Sequence, residues 1–518
     1  MPRFSAPNSP GPSRVVARSL VALLTGLAGL VLVARPAGAA TSVYYVDRTV
    51  AACSNTGPGT EAAPFCSVAV GSARLRTGDT LYVGDGTYAE LVKPTASGTA
   101  GSPVTVTRWP GRNPTITGNG TYGVSIVNLS YVVVSDLVIT DTVKDGIYAG
   151  GSNNLTIRGN TVSGAGRPVS GATANGISLS ATSLSMVSGN TTDRNNGHGI
   201  SLTGSSTGNT VADNEAGFNA WGWTRNANGI GVTAPGNTVL RNVTHDNEDS
   251  GIQFFTGGNN NLAAANITYN NGDHGIDDLN VTGGRLVGNT VFHNCTSGIN
   301  VEGTSGNYTI TNNVAVDNAV YPAYDGIACA RRAGNIGIWD SAPPTTVVDH
   351  NLVWLSTPGK MYVFKNSYTS LAAMRAATGQ EQLGVQGDPG FVDASAGDLR
   401  ITAGSPAIDR GDSATAGEQD TDMLGHGRAD DSTTPNTFAS GPRPYDDLGA
   451  YEFQPQAPAP QPPVARLSVT PSSATAPAQI TADASASTDP QGQALTYAFD
   501  FGDGTSTGAQ AGATAPHT

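Results

Sequence analysis

Apolar and polar residues alternate in short runs along most of this chain, and the runs return with a fixed rhythm. Ser250-Gly251-Ile252-Gln253-Phe254, His198-Gly199-Ile200-Ser201-Leu202 and Ser297-Gly298-Ile299-Asn300-Val301 each place an apolar residue at every second position. A period of two marks a strand with one face buried. Each run opens on a Gly-Ile pair, with the glycines at Gly146, Gly176, Gly199, Gly229, Gly251, Gly275, Gly298 and Gly337. An asparagine follows each glycine after 13 to 15 residues, at Asn160, Asn190, Asn214, Asn242, Asn266, Asn289, Asn313 and Asn351. From each Asn to the next Gly the count is 9 in four cases and 16, 15 and 24 in the other three.

A basic repeat of 22 to 24 residues, with insertions at one corner, is one coil stacked on itself many times. A second strand follows each Asn, as in Asn266-Ile267-Thr268-Tyr269. Three short strands per coil predict an all-β fold, a right-handed parallel β-helix. A β-propeller fits less well, because its blades run to about 40 residues. Asparagines recurring at one turn predict a hydrogen-bonded ladder, at a place where Asn also tolerates left-handed geometry. Eight or nine visible coils, the first around Gly123 with Asp136 at the Asn position, predict a rod of about 40 Å.

The ends read differently. Residues 41–110 are expected to form an N-terminal cap and the first coils of a domain running over 41–453. Thr369-Ser370-Leu371 through Gly379 predicts a short capped helix on the C-terminal side. Residues 388–453 read as an irregular final segment, 454–463 as a stiff Pro-rich linker, and 464–518 as a small β module.

Composition narrows the setting. Arg14, Arg18, an apolar stretch from Leu20 to Val33 and Ala37-Gly38-Ala39 predict a signal peptide over 1–40, so a secreted, extracellular protein with no membrane insertion. Removing that segment takes the formal charge from −13 to −17, which argues against nucleic acid as a partner. An anionic sugar polymer remains compatible, since a local basic patch is enough. Four cysteines in an exported chain permit disulfides, Cys53–Cys66 being the expected bridge and Cys295 and Cys329 left open.

The repeats resemble the pectate lyase-like superfamily of right-handed parallel β-helix proteins. Gly78-Asp79-Thr80-Leu81-Tyr82-Val83-Gly84-Asp85-Gly86-Thr87-Tyr88 looks like the N-terminal signature of its secreted members, and Asp447-Leu448-Gly449-Ala450-Tyr451-Glu452-Phe453 like their ending. Asp489-Pro490 and Asp500-Phe501-Gly502-Asp503-Gly504 are similar to a PKD domain, here a partial one. The resemblance implies a carbohydrate-active protein, since the fold is associated with polysaccharide lyases, glycoside hydrolases, uronate epimerases and noncatalytic adhesins.

The long connections 161–175, 215–228 and 314–336 leave from one corner and hold Arg167, then Phe218, Trp221, Trp223 and Arg225, then Tyr321, Tyr324, Arg331 and Arg332. Insertions on one edge of a solenoid line its binding face, and Trp and Arg suit sugar rings and carboxylates. Between them the short coils carry His245, Asp246, Glu248, Asp249, Asp273, His274, Asp277, Asp278, Asn300 and Glu302. With Ile inward, Asp249 and Asp273 share one outward row, and Gln253, Asp277 and Asn300 a second. Carboxylates that close need a cation, a shared proton or a basic neighbour. Ca²⁺ on Asp249, Asp273 and Asp277 is one occupant, and a retaining acid pair such as Asp249 and Asp273 is another.

Asp278 breaks the pattern, standing where neighbouring coils have the inward Phe254 and Val301. Either a bulge turns it outward or it has a buried partner.

The leading functional expectation is a polysaccharide lyase cleaving a pectate-like uronate polymer by β-elimination. Its catalytic candidates are Asp273, His274, Asp277, Asp278 and Arg225, and its substrate-binding candidates Trp221, Trp223, Arg331, Arg332, Asn300 and Glu302. No lysine follows Lys144 on the central coils, so the base would be Arg, His or Tyr. The alternatives are a glycoside hydrolase, a C5-epimerase built on Tyr269, Asp273 and His274, or a noncatalytic polysaccharide-binding protein. A capped solenoid predicts a monomer.

Overall fold

The computed structural model describes residues 41–518 apart from 168–172, 221–226, 321–322, 325–326, 330, 437–440, 456–461 and 491. The proposed signal segment 1–40, and Trp221, Trp223, Arg225 and Tyr321, lie outside the described residues. No helix among the described residues is long and apolar enough to cross a membrane.

The chain winds into an all-β, parallel β-helix. Each coil gives one strand to each of three sheets, two of 12 strands and one of 11. Sheet 1 runs from Val43–Val46 to Val347–Asp349, sheet 2 from Gly86–Tyr88 to Val385–Gln386, and sheet 3 from Val124–Val127 to Tyr362–Phe364 with Asn366–Tyr368 added antiparallel. The rod is longer than the Gly-Ile count predicts, because the coils before Gly123 carry no such pair. Twelve strands at the interstrand spacing span about 50 Å. A helix at Val68–Arg74, N-capped by Ser67, interrupts the first coils and was not expected. The expected helix forms at Leu371–Thr378, with Ser370 capping its start and Gly379 in the left-handed region at its end.

The Gly-Ile pairs build the core. Ile147, Ile177, Ile200, Ile230, Ile252, Ile276 and Ile299 lie in register on sheet 3, all fully buried. In the last coil the register places Ile336 against Ile299 and Gly337 against Asn300. That pair is therefore two residues out of step, which a period of two absorbs without changing faces. The glycine is required by close packing: a Cβ on Gly251 would lie 2.8 Å from the Gly275 carbonyl and 2.8 Å from Asn271 Nδ2.

The asparagine ladder is continuous from Asn160 to Asn351. Each Nδ2 donates to the next coil's Oδ1 at 2.9–3.0 Å. The same oxygen accepts a backbone N–H, as Asn266 Oδ1 does from Asn242 at 2.9 Å. Left-handed geometry falls on the residue before each Asn rather than on the Asn, with φ of 50° at Arg241 and 51° at Ala265. At the start, the Leu137 amide donates to Asn160 Oδ1, so Leu137 holds the ladder position and not Asp136. At the far end Glu381 accepts from Asn351 Nδ2 and Tyr362 Oη, each at 2.9 Å. Both Glu381 oxygens accept, Oε2 from the Asn351 amide and Oε1 from Asn351 Nδ2 and Tyr362, so the ladder ends there. A second ladder runs through Asn195, Asn219, Asn247, Asn271, Asn294 and Asn318, each five residues after a first-ladder Asn, and ends on Asn335.

Residues after Val385 fold back along sheet 2. Leu399 and Ala450 pack on Ile267, and Ile408 and Leu448 on Val314 and Leu352. The Ala450 amide donates to Thr290 Oγ1 at 2.9 Å, and buried Arg428 ties Glu418 to Glu452. Ser468–Thr470, Ile480–Asp483 and Thr514–His517 form a separate three-stranded antiparallel sheet.

Asp278 keeps the strand register, opposite Phe254 and Val301, so no bulge turns it outward. It is fully buried in the coil interior, where Tyr308 Oη donates to its Oδ1 at 2.7 Å. The catalytic role expected for Asp278 therefore fails: its carboxyl does not reach the outer face.

Two outcomes test this account. Asn266→Ala removes the acceptor of the Asn242 amide and the Nδ2 donor to the Val239 carbonyl, and is expected to cost about 3 kcal/mol or more in denaturant unfolding. Burial raises the Asp278 pKa well above its ordinary 3.8. The native state thus holds this proton more tightly than the unfolded chain, and its stabilising share is full below that value and lost as pH rises. Asp278→Asn is expected to melt like the wild type near about pH 4 and above it near about pH 8.

Candidate functional site

The outward face of sheet 3 carries one row that register alone assembles: Ser178, Ser201, Gly231, Gln253, Asp277, Asn300 and Gly337. Its middle is polar and knitted together. Gln253 Nε2 donates to Asp277 Oδ2 and Asn300 Nδ2 to Asp277 Oδ1, both at 2.7 Å. This is the row expected from the alternation. Two positions further along the strand, Leu279 pairs with Glu302.

The residue before each glycine has its own ladder. Side-chain acceptors of Asp145, Asn175, His198, Asn228, Ser250 and His274 each receive the backbone N–H of the equivalent residue one coil on, at 2.7 to 3.4 Å. The position takes Asp, Asn, His or Ser because each offers an acceptor at that reach. Burial pushes His198 down to about 4, so that ring is neutral. His274 has the same backbone role and stands beside the acidic row.

Asp273 lies next to Asp249 through a backbone bond, Asp273 N to Asp249 O at 3.2 Å, as the expected first row requires. Its carboxylate accepts from Thr296 Oγ1 at 2.6 Å and pairs with Arg331. The trio expected to hold a cation, Asp249, Asp273 and Asp277, is not the one that converges. A ring nitrogen of His274 and one carboxylate oxygen each from Asp277 and Glu302 lie within 4.8 Å of one another.

The third insertion supplies the arginines. The Cys295–Cys329 disulfide ties it to the coil of Thr296, and Cys53–Cys66 forms as expected. Arg332 Nε reaches Glu302 Oε2 at 2.7 Å, and its guanidinium lies 4.9 Å from the Trp339 ring centre. Ser297 Oγ donates to the Arg332 carbonyl. The arginine side chains are 48% and 29% exposed, against 6% for Asp273 and 9% for Glu302. Cations thus form the mouth of the site and carboxylates its floor. Burial raises the Glu302 pKa, Asp277 adds to this, and Arg332 opposes it.

Asp273, His274, Asp277, Asn300, Glu302, Arg331 and Arg332 therefore meet at one place. Tyr269 does not join them: it sits on sheet 2, stacked on His245 at 5.1 Å and packed against the returning C-terminal segment. The expected Tyr269, Asp273 and His274 grouping is thus split between two faces. Thr296 and Trp339, which contact the site, carried no signal in the sequence beyond their places beside Cys295 and in the last coil.

Residues 111–228 and 223–342 match the family model described as right handed beta helix region, and residues 460–518 match that of the PKD domain. "Uncharacterized protein YwoF" of Bacillus subtilis (strain 168) is 24% identical over 430 residues, which cover 68% of this chain and 90% of that protein. The solved complex of XylC with xylose aligns at a TM-score of 0.51 and 11% identity, over 80% of this chain and 98% of that one. Pectate lyase Pel9A aligns at 0.48 and 15%, over 80% and 97%. At these identities the likeness is one of fold. The chain is a right-handed parallel β-helix protein with a PKD domain at its C-terminus.

Proposed function

We propose that this is an exported carbohydrate-active enzyme, a polysaccharide lyase that cleaves a uronate-containing polymer by β-elimination on sheet 3. The observation that carries the reading is the pair Arg331 and Arg332, held over buried Asp273 and Glu302 at the mouth of a polar row. Elimination at a uronate needs cationic groups that neutralise the sugar carboxylate as the neighbouring proton leaves. In an acidic chain, two arginines placed together on the outer face supply that charge locally. Half-exposed Arg331 is the group best placed to meet the polymer first.

One observation favours a second reading. The Asp277 and Glu302 oxygens approach within 4.8 Å, and burial keeps Glu302 protonated to higher pH than usual. Two close carboxyls in different environments suit acid-pair hydrolysis, whose retaining form places them about 5–5.5 Å apart.

The full-length protein is to be incubated with pectate, alginate and glucuronan. An ultraviolet-absorbing unsaturated product marks elimination, and new reducing ends without it mark hydrolysis. If neither appears on any polymer, cleavage is excluded as the function. Where a polymer is cut by elimination, Arg331→Gln and Arg332→Gln are expected to lower kcat/KM at least tenfold, about 1.4 kcal/mol each. Unchanged kinetics in both would remove the site.

A further inference from the structure

The floor of the site holds groups that the cleavage reading does not use. His274 Nε2 is buried without a hydrogen-bond partner, and so is Asn300 Oδ1. His274 is 1% exposed and Asn300 fully buried. Unmet polar atoms at that depth cost free energy unless something occupies the space they face. Beside them Asp277 and Glu302 bring one carboxylate oxygen each within 4.8 Å of a His274 ring nitrogen. Three points no further apart than that leave a position within about 2.8 Å of all three, so a closure of under about 1 Å reaches metal–ligand lengths.

We propose that His274, Asp277 and Glu302 bind one divalent transition-metal ion, with Asn300 Oδ1 beside it as a fourth ligand. The donor set decides the ion's class. Ca²⁺ takes oxygen ligands alone, whereas an imidazole with two carboxylates suits Zn²⁺ or its neighbours. Binding through Nε2 requires the ring proton on Nδ1. Thr296 Oγ1 lies 2.7 Å from Nδ1 and donates its own proton to Asp273 Oδ1 at 2.6 Å. It can therefore only accept from the ring, and Asp273 orients the ligand through Thr296. In that tautomer Nδ1 no longer accepts the Ser297 amide 3.2 Å away, so metal binding gives up the ladder bond at this coil for the bond to Thr296. A metal-bound histidine commonly donates its other ring N–H to a fixed acceptor, and here Thr296, held by Asp273, is that acceptor.

Arg332 pairs with Glu302 through Oε2 alone, while Arg331 engages Asp273 rather than a ligand. The inference rests on the same face as the proposed cleavage, but it assigns Asp277 and Glu302 to a cation rather than to acid-pair chemistry.

The test is calorimetric titration of the full-length protein, freed of metal with EDTA, using ZnCl₂ and, separately, CaCl₂. One Zn²⁺ per chain is expected, bound more tightly than Ca²⁺. In His274→Asn the affinity for Zn²⁺ is expected to fall at least 100-fold, about 2.7 kcal/mol. Asn is the chosen replacement because Asn175 and Asn228 hold the equivalent ladder position, so the coil keeps its backbone bond. Thr296→Val is expected to weaken Zn²⁺ by about 10-fold or more. No Zn²⁺ binding, tighter Ca²⁺ than Zn²⁺, or full Zn²⁺ affinity in His274→Asn overturns the proposal. Zn²⁺ binding with no polymer cut leaves this inference standing and removes the cleavage reading. Cleavage without Zn²⁺ binding does the reverse.

Discussion

The asparagine ladder is the constraint on which this molecule depends. A coil of short strands must turn three times every 22 or so residues, and each turn buries backbone amides that the strands do not satisfy. One Asn side chain per turn answers both sides of that demand. Its oxygen accepts the amide and side chain of the coil below, and its nitrogen donates to a carbonyl and to the coil above. Each bond is modest alone, but leaving one unmade in the interior costs far more than forming it gains. The ladder therefore fixes the register of every coil on its neighbour.

Fixed register has a chemical consequence. Side chains at equivalent positions stack at the interstrand distance, so an outward position free to vary becomes a row of neighbours. Gln253, Asp277 and Asn300 come together by that rule alone, and so do the residues before each glycine. His274 shows how a scaffold position can serve chemistry. Its place in the ladder asks only for a hydrogen-bond acceptor, as Asn175, Asn228 and Ser250 show, and imidazole meets that demand at Nδ1 in one tautomer and frees Nε2 in the other. Asp278 is the opposite case. It occupies a core position with no ladder duty, and Tyr308 from the neighbouring sheet makes its burial tolerable.

Much of this was legible before any coordinates. The alternation gave the strands, the Gly-Ile and Asn spacing gave the coil, and Ser370 with Gly379 marked a helix to within a residue at each end. The first coils escape the count because Thr80–Val83 and Val104–Arg108 belong to coils that lack a Gly-Ile pair. The second Asn series was equally present in the spacing, five residues behind the first, and went unread because no strand pattern flags it. The left-handed residue stands one position before the ladder Asn: the Asn needs its side chain aimed along the stack, so the preceding residue absorbs the turn.

What the sequence determined by itself is the stacking, since a period of two within strands and a recurring Asn between them are local patterns that one solenoid satisfies. It also placed the acids, because rows follow from register. What only the tertiary structure decided is which inserted loop meets which row. Arg331 reaches Asp273 across 58 residues, and no spacing rule links the loop 314–336 to a particular coil. That contact depends on where the Cys295–Cys329 bridge pins the loop and on Trp339 and Glu302 receiving Arg332. Tyr269 makes the same point in reverse. It is four residues from Asp273 in sequence, yet the corner between sheets 2 and 3 sends the two side chains to different faces.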